Sequence, residues 1–312
     1  MTLVLFSAPD GDWNDYREVL PAAIAKTNVI AKIVRDDDPH DPGAIDYIVY
    51  APSSRLQDFS RYSRCKAVLS LWAGVEAIVG NETLTMPLAR MVDYGLTEGM
   101  VEWCVGHTLR HHLGIDQDIC RNDAKWQTHV PPLARNRHVT VLGLGELGRA
   151  VAVALERLNF KVTGWSRTPK TIKKVRCLSG DDGLKESLRQ AEIVILLLPK
   201  TPATENLINA ERLSLLPTGA VIINPGRGHL IEDDVLLLAL DAKRLGHATL
   251  DVFRVEPLPP DHPFWAHPQV TVTPHIASDT RPESAAEVVA ENIRRGEAGE
   301  PFLHLVDRAA GY

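Results

Sequence analysis

The stretch VTVLGLGELGRAVAVALERL constrains what this chain can fold into more than any other. An apolar run opening at His138 leads directly into Gly143, Gly145 and Gly148 in G-x-G-x-x-G spacing, and a helix-forming run follows without a break. In that setting the first glycine permits a tight turn, the second lets backbone come close to a pyrophosphate, and the third allows a helix to pack closely on a strand. The helix N-terminus, opening at Glu146 and Leu147, then stabilises the anion through its dipole and its unsatisfied N–H groups. A plain strand-to-helix turn in an α/β sheet is the competing reading of the same three glycines.

The surrounding pattern agrees with a sheet. After HVTVLGLGELG come FKVTGW, AEIVILLLP, GAVIINPG, GHATLDVF and QVTVTPH, short buried-strand candidates with helical patterns between several of them. The first hundred residues repeat the theme more weakly in TLVLFSA, NVIAKIV, DYIVYAP and AVLSLWAGV. Between the two series, Glu98 to Leu113 places Val101, Cys104, Val105, Thr108 and Leu109 at helical spacing, so a helix is expected there, entered through Gly95 and Gly99 as a hinge. A second helical pattern runs beyond Pro282 and ends in glycines.

A length of 312 residues, 45% of them hydrophobic, gives room for two cores. The formal net charge of -6 offers no general attraction for nucleic acid or an anionic membrane, so neither is an expected partner. No stretch approaches the length of a bilayer span, and MTLVLFSAPDGDW reads as a first strand rather than a signal peptide. Cys65, Cys104, Cys120 and Cys177 are widely separated, with no CxxC pair, and are expected to be reduced, buried thiols of a cytoplasmic protein; no metal is expected.

At the end of the strand after the glycine loop stands TGWSRTPK, Thr163 to Lys170. An NAD site keeps an acid about 20 residues along to accept from the ribose 2′-hydroxyl, whereas an arginine there accommodates a 2′-phosphate. Arg167 falls 19 residues past Gly148, Ser166 precedes it, Lys170 is a third contact, and no acid is present. The functional reading is an NADP pocket preferring NADPH to NADH; the alternative is that Arg167 is an ordinary solvated turn residue.

Three more segments end apolar runs, where an open α/β sheet keeps its ligand crevice. In Asn224-Pro225-Gly226-Arg227-Gly228 a guanidinium sits between glycines, and its fork matches a carboxylate. DVFRVEP runs from Asp251 to Glu256 and Pro257, and TPHIAS carries His275. A histidine beside a carboxylate can hold a proton for a carbonyl oxygen, so Arg227, Glu256 and His275 read as an anion clamp with an acid-base pair. Taken singly, each also fits a capping or packing role.

NPGRG, LDVFRVEPLP and TVTPHIAS, in that order after GLGELG and LLLPKTPAT, resemble the D-isomer-specific 2-hydroxyacid dehydrogenases over most of the chain. Within that family WSRT, ARMVDYGLTEGM and the closing VDRAAGY are similar to the bacterial glyoxylate/hydroxypyruvate reductase A group.

The resemblance implies an α/β fold of two Rossmann-like or flavodoxin-like parallel-sheet domains with a cleft between them. The substrate domain would be discontinuous, residues 1–98 and 280–312, with the NADP-binding domain at 99–279. It implies that Arg227 orients a small 2-oxo acid, His275 donates the proton during reduction, Glu256 pairs with His275, and Asp251 is a supporting acid near the cofactor. Trp72, Ala73 and Gly74 match a substrate loop whose backbone N–H groups bind the carboxylate. Trp72 is bulkier than the family's usual residue there and either narrows the pocket or packs in the core. Pro225 and Gly226 depart from the more usual NxARG beside the nicotinamide. Pro199, Thr201 and Thr204 match the cofactor-side loop.

The implied reaction is NADPH-dependent reduction of glyoxylate or hydroxypyruvate to glycolate or D-glycerate. A homodimer is implied as well, with Trp126 as the subunit-crossing candidate. A same-fold enzyme acting on longer 2-oxo acids is a rival, and so is a nucleotide-sensing binding protein without catalysis. Formate oxidation is disfavoured by Glu256, and phosphoglycerate oxidation by the missing ribose acid.

Overall fold

The computed structural model describes residues 1–311, so Tyr312, the last residue of the VDRAAGY close, lies outside them. The chain divides into two compact units, Met1–Leu96 with Asp279–Tyr312, and Thr97–Ser278.

The first unit opens with β1 (Thr2–Ser7), α1 (Asp10–Lys26), β2 (Ala31–Arg35), β3 (Tyr47–Tyr50), β4 (Ala67–Ser70) and the two-residue β5 (Leu88–Ala89). Every neighbouring pair is parallel, in the order β2-β1-β3-β4-β5. β3 and β4 are buried along their whole length, as strands covered on both faces must be, which is why they read as unbroken apolar runs.

α2 (Tyr94–Leu113) and the short α3 (Ile115–Ile119) follow. α2 starts four residues before the expected Glu98, because the buried Asp93 caps it: Asp93 Oδ1 accepts from Leu96 N at 2.8 Å. Gly95 and Gly99 therefore lie inside the helix rather than at its entrance. Gly95 is a close-approach residue, since a Cβ there would stand 2.6 Å from Ser284 Oγ. Further along, Met100 and Cys104 are buried in the second unit's core.

That unit runs β6 (His138–Leu142), α4 (Glu146–Arg157), β7 (Lys161–Ser166), β8 (Arg176–Ser179), α5 (Gly180–Arg189), β9 (Ile193–Leu196), α6 (Ala210–Leu215), β10 (Ala220–Asn224), α7 (Asp233–Asp241), β11 (Leu245–Leu250) and β12 (Val270–Val272). Its seven strands are again all parallel, in the order β12-β11-β10-β9-β6-β7-β8. The order reverses between β6 and β9, and at such a switch point the carboxyl ends of the strands leave a crevice for a ligand. α4 buries Gly148, Val151, Ala152 and Leu155, one stripe at helical spacing, against this sheet.

The chain ends by returning to the first unit as α8 (Pro282–Ala298), whose Ala285, Ala286, Val289, Ala290 and Ile293 pack with α1 over β1, β3 and β4. Gly299 stops it in the left-handed conformation, φ 69°. All four cysteines are free thiols; Cys65 and Cys104 are buried as expected, but Cys120 is exposed and Cys177 only partly covered. Burial pushes the Cys65 thiol up to about 12. No helix among the described residues is long and apolar enough to cross a membrane.

Candidate active site

Sterics dictate the glycine loop after β6. Gly143 has φ 105°, and a Cβ on it would stand 2.3 Å from Leu197 O, while one on Gly148 would stand 1.8 Å from Gly143 O. Neither position can hold a side chain without moving backbone. Gly145 is different: nothing lies within 4 Å of where its Cβ would be, and α4 begins behind it with no capping side chain. Open space over a glycine, at a helix N-terminus whose first turn holds Glu146 and Leu147, is what a dinucleotide's phosphates require, so the residues present fit such a cofactor.

Ser166 closes β7, and Arg167 and Lys170 beyond it are exposed. The Ser166 hydroxyl is buried and donates to Thr168 O at 2.8 Å, so its proton is engaged within the turn. After β9, Thr204 ties the LLLPKTPAT loop into a turn: its hydroxyl donates to Pro199 O at 2.6 Å and accepts from Thr201 N at 2.8 Å. Thr204 thus shapes this loop, and Pro199 and Thr201 stand half-buried on it.

The loops after β10, β11 and β12 come together. His275 Nδ1 lies 2.7 Å from Glu256 Oε2, and the other carboxylate oxygen accepts from Phe253 N at 2.8 Å. With Nδ1 engaged, Nε2 is the atom left to face a substrate. His275 has φ 56°, the left-handed region that few non-glycine residues adopt, and its N–H points at Asp251 O, 2.9 Å away.

Asp251 is what holds that conformation. It is completely buried, and its carboxylate accepts from Thr273 Oγ1 at 2.5 Å, Ile276 N at 2.9 Å and Ala277 N at 2.8 Å. The resemblance implied a supporting acid near the cofactor. The structure commits the whole carboxylate to the loop carrying His275.

Arg227 is half-buried and half held by its own neighbours, with Nη1 donating to Gly226 O at 2.6 Å. Pro225 is buried beside it. Asn224, which sequence reasoning did not single out, clamps the turn: its Nδ2 donates to Arg227 O at 3.0 Å and its Oδ1 accepts from Gly226 N at 3.1 Å. An Asn closing a strand ahead of Pro-Gly is the signal that was available. Gly228 then seats the arginine loop on the glutamate loop, since a Cβ there would fall 2.0 Å from the Phe253 carbonyl carbon.

In the first unit, the loop after β4 is of another kind. Trp72 is 45% exposed, so it is not a core tryptophan. Its backbone is fixed, with Trp72 N donating to Ser70 Oγ at 3.1 Å and Trp72 O accepting from Met91 N at 3.0 Å. The N–H groups of Ala73 and Gly74 have no acceptor among the described residues.

Taken together, a dinucleotide cradle, a histidine-carboxylate pair and an arginine on neighbouring strand ends are suited to moving a hydride and a proton at a carbonyl carbon beside a carboxylate. Known proteins carry the same arrangement of sequence. Residues 104–277 match the family model described as D-isomer specific 2-hydroxyacid dehydrogenase, NAD binding domain. A glyoxylate/hydroxypyruvate reductase A from Serratia proteamaculans is 39% identical over 289 residues, covering 89% of this chain and 91% of the relative.

Among solved structures, a D-isomer specific 2-hydroxyacid dehydrogenase from Xanthobacter autotrophicus in complex with NADPH and MES has a TM-score of 0.91 at 40% identity, covering 100% of this chain and 99% of its own. The NADPH-dependent glyoxylate/hydroxypyruvate reductase from Sinorhizobium meliloti, in complex with NADP and sulfate, has a TM-score of 0.89 at 33% identity over 100% of both chains. With site, fold and sequence in agreement over nearly the whole length, this chain belongs to the D-isomer specific 2-hydroxyacid dehydrogenases.

Proposed function

We propose that the chain reduces small 2-oxo acids, glyoxylate and hydroxypyruvate foremost, to glycolate and D-glycerate with NADPH as the cofactor. The observation that carries this reading is the 2.7 Å pairing of His275 with Glu256, held at a strand end next to the Arg227 turn. Similarity to reductases of that name supports the substrate class, and the Ser166-Arg167-Lys170 turn, with no acid at the end of β7, supports NADPH.

In this reading residues 99–279 bind the cofactor, and 1–98 with 280–312 supply the substrate loop. Bound NADPH supplies the hydride. Arg227 takes the substrate carboxylate and carbonyl in its fork, which orients the carbonyl carbon and stabilises charge growing on its oxygen. His275 delivers its proton from Nε2 to that oxygen, while Glu256 stabilises the charged ring and fixes its orientation. Ala73 and Gly74 offer their unbonded N–H groups to the carboxylate.

The working unit is a homodimer. The irregular stretch after α3 exposes Trp126 at 98%, Val130 at 91% and Leu133 at 66%, apolar surface that association would cover. Light scattering on the intact chain should give twice the monomer mass, and a monomer would remove this part of the reading.

A panel crossing NADPH and NADH with glyoxylate, hydroxypyruvate, pyruvate and longer 2-oxo acids tests the function. The highest kcat/KM is expected for NADPH with the two- and three-carbon acids. Preference for a long or branched acid, or for NADH, would overturn the respective half of the proposal.

A further inference from the structure

We propose that Lys200 is a contact for the phosphates common to NADH and NADPH, and that His229 is the positioning residue holding its ammonium there. The inference rests on the reading that this chain binds a nicotinamide dinucleotide. It adds a cationic contact apart from the Ser166-Arg167 turn.

Three observations converge on Lys200. It lies on the loop leaving β9, the strand beside β6 at the reversal of strand order, where the crevice for a ligand opens. That loop is wedged between two glycine turns. The Cβ position of Gly143 falls 2.3 Å from Leu197 O, and that of Gly226 falls 2.7 Å from Leu196 O and 3.3 Å from Leu198 O. Lys200 therefore follows, by two residues, a segment in backbone contact with both the phosphate cradle and the arginine turn.

Its bonding is incomplete. Lys200 Nζ is 3.0 Å from His229 Nε2, and it forms no ion pair among the described residues. An ammonium carries three donors, and a half-buried one without a counter-ion calls for an anion. The nearby acids are committed elsewhere: Arg254 sits between Glu205 and Asp233, at 3.9 and 3.7 Å.

His229 can hold the ammonium because its ring is a neutral acceptor. Burial lowers its pKa, and the Lys200 ammonium and the Arg254 guanidinium lower it further. The backbone carrying the ring is tied to the β9 loop, where His229 O accepts from Asn206 N at 2.8 Å. Since His229 is two residues from Arg227, the same contact ties the β9 loop to the arginine turn.

The test is direct nucleotide binding, read by fluorescence titration of the intact chain with NADPH and, separately, with NADH. Lys200→Met should weaken both by about tenfold and leave their ratio unchanged, because the pyrophosphate is shared. Lys200→Arg should restore most of the affinity. His229→Leu should cost about threefold and His229→Gln, which keeps an acceptor, less. Unchanged affinities in Lys200→Met would overturn the inference while the cofactor reading stands, and a loss confined to NADPH would overturn it by assigning Lys200 to the 2′-phosphate. A wild-type chain that binds neither nucleotide would remove both the inference and the reading beneath it.

Discussion

The loops that end β10, β11 and β12 and the loop that ends β4 stand at equivalent places on two parallel sheets, yet they are built on opposite plans. In the first group nearly every polar group is tied down. Asp251 holds Thr273, Ile276 and Ala277, Asn224 holds Gly226 and Arg227, and Gly228 lies against the backbone of Phe253. After β4, the backbone of Trp72 is tied to Ser70 and Met91, but its indole is 45% exposed and the amides of Ala73 and Gly74 have no acceptor among the described residues. A proton donor must be aimed and so needs a rigid mount, whereas a loop that binds an anion through its backbone must leave its donors unpaired.

Removing the aimed group should give the largest effect. His275→Ala is expected to lower kcat by about 10² to 10⁴-fold while NADPH binding stays near wild type. Equal losses in both would show that the loop, rather than the proton, had failed. Asp251→Ala separates the mount from the group it carries. It removes a fully buried carboxylate that serves three donors, one of them buried as well, so it should destabilise the second unit by about 3 kcal/mol in urea unfolding and lower kcat as well. Unfolding at the wild-type denaturant concentration would mean the anchoring is not what fixes the loop.

These two residues also mark how far sequence reading reaches. The glycine loop was legible because its requirement is steric and local: three glycines, a strand before and a helix after. Arg227, Glu256 and His275 stood out as residues following apolar runs, each with a capping or packing alternative, and folding brings His275 and Glu256 to within 2.7 Å of one another. The role of Asp251 was not legible, because its partners come from 22 to 26 positions further on. Asn224 escaped notice since its clamp needs a turn whose shape only the folded backbone reveals.

Two strands were missed as well. β5 has only two residues and β8 is Arg-Cys-Leu-Ser, neither long nor apolar enough to stand out from loops. The early start of α2 was available in Asp93, an N-cap residue, but the glycines after it drew the boundary later.

The strand beneath Asp251 offers a sharper way to separate the two regions. His247 on β11 and His111 on α2 stack at 4.9 Å, and their Nε2 atoms lie 2.9 Å from Thr271 Oγ1 and 2.8 Å from Thr249 Oγ1. Burial pulls His111 down to about 3, with His247 and Arg110 adding to it, and burial and then Arg110 pull His247 down to about 4.

Because these values lie below that of the unfolded chain, the unfolded state takes up more protons in acid. The stability contributed by the neutral pair is whole above about pH 6.5 and is lost as pH falls toward 4 and 3. Between pH 7 and pH 5 the second unit should lose about 4 kcal/mol, roughly 2 from each ring, and His247→Gln should about halve that dependence. An unchanged slope in the variant would assign the acid sensitivity to other groups.

The smallest effect on stability is expected where the mount is absent. Trp72→Ala removes an indole that is already 45% exposed, and the bonds from Ser70 and Met91 that shape the loop involve backbone it leaves in place. Unfolding free energy should change by about 1 kcal/mol or less. Substrate choice should change more. If the indole narrows the site, its loss should raise kcat/KM for longer 2-oxo acids several-fold relative to glyoxylate, through KM. A variant that unfolds early and keeps its substrate range would show that the β4 loop, too, is held by its side chains, and the contrast between the two sets of loops would fall.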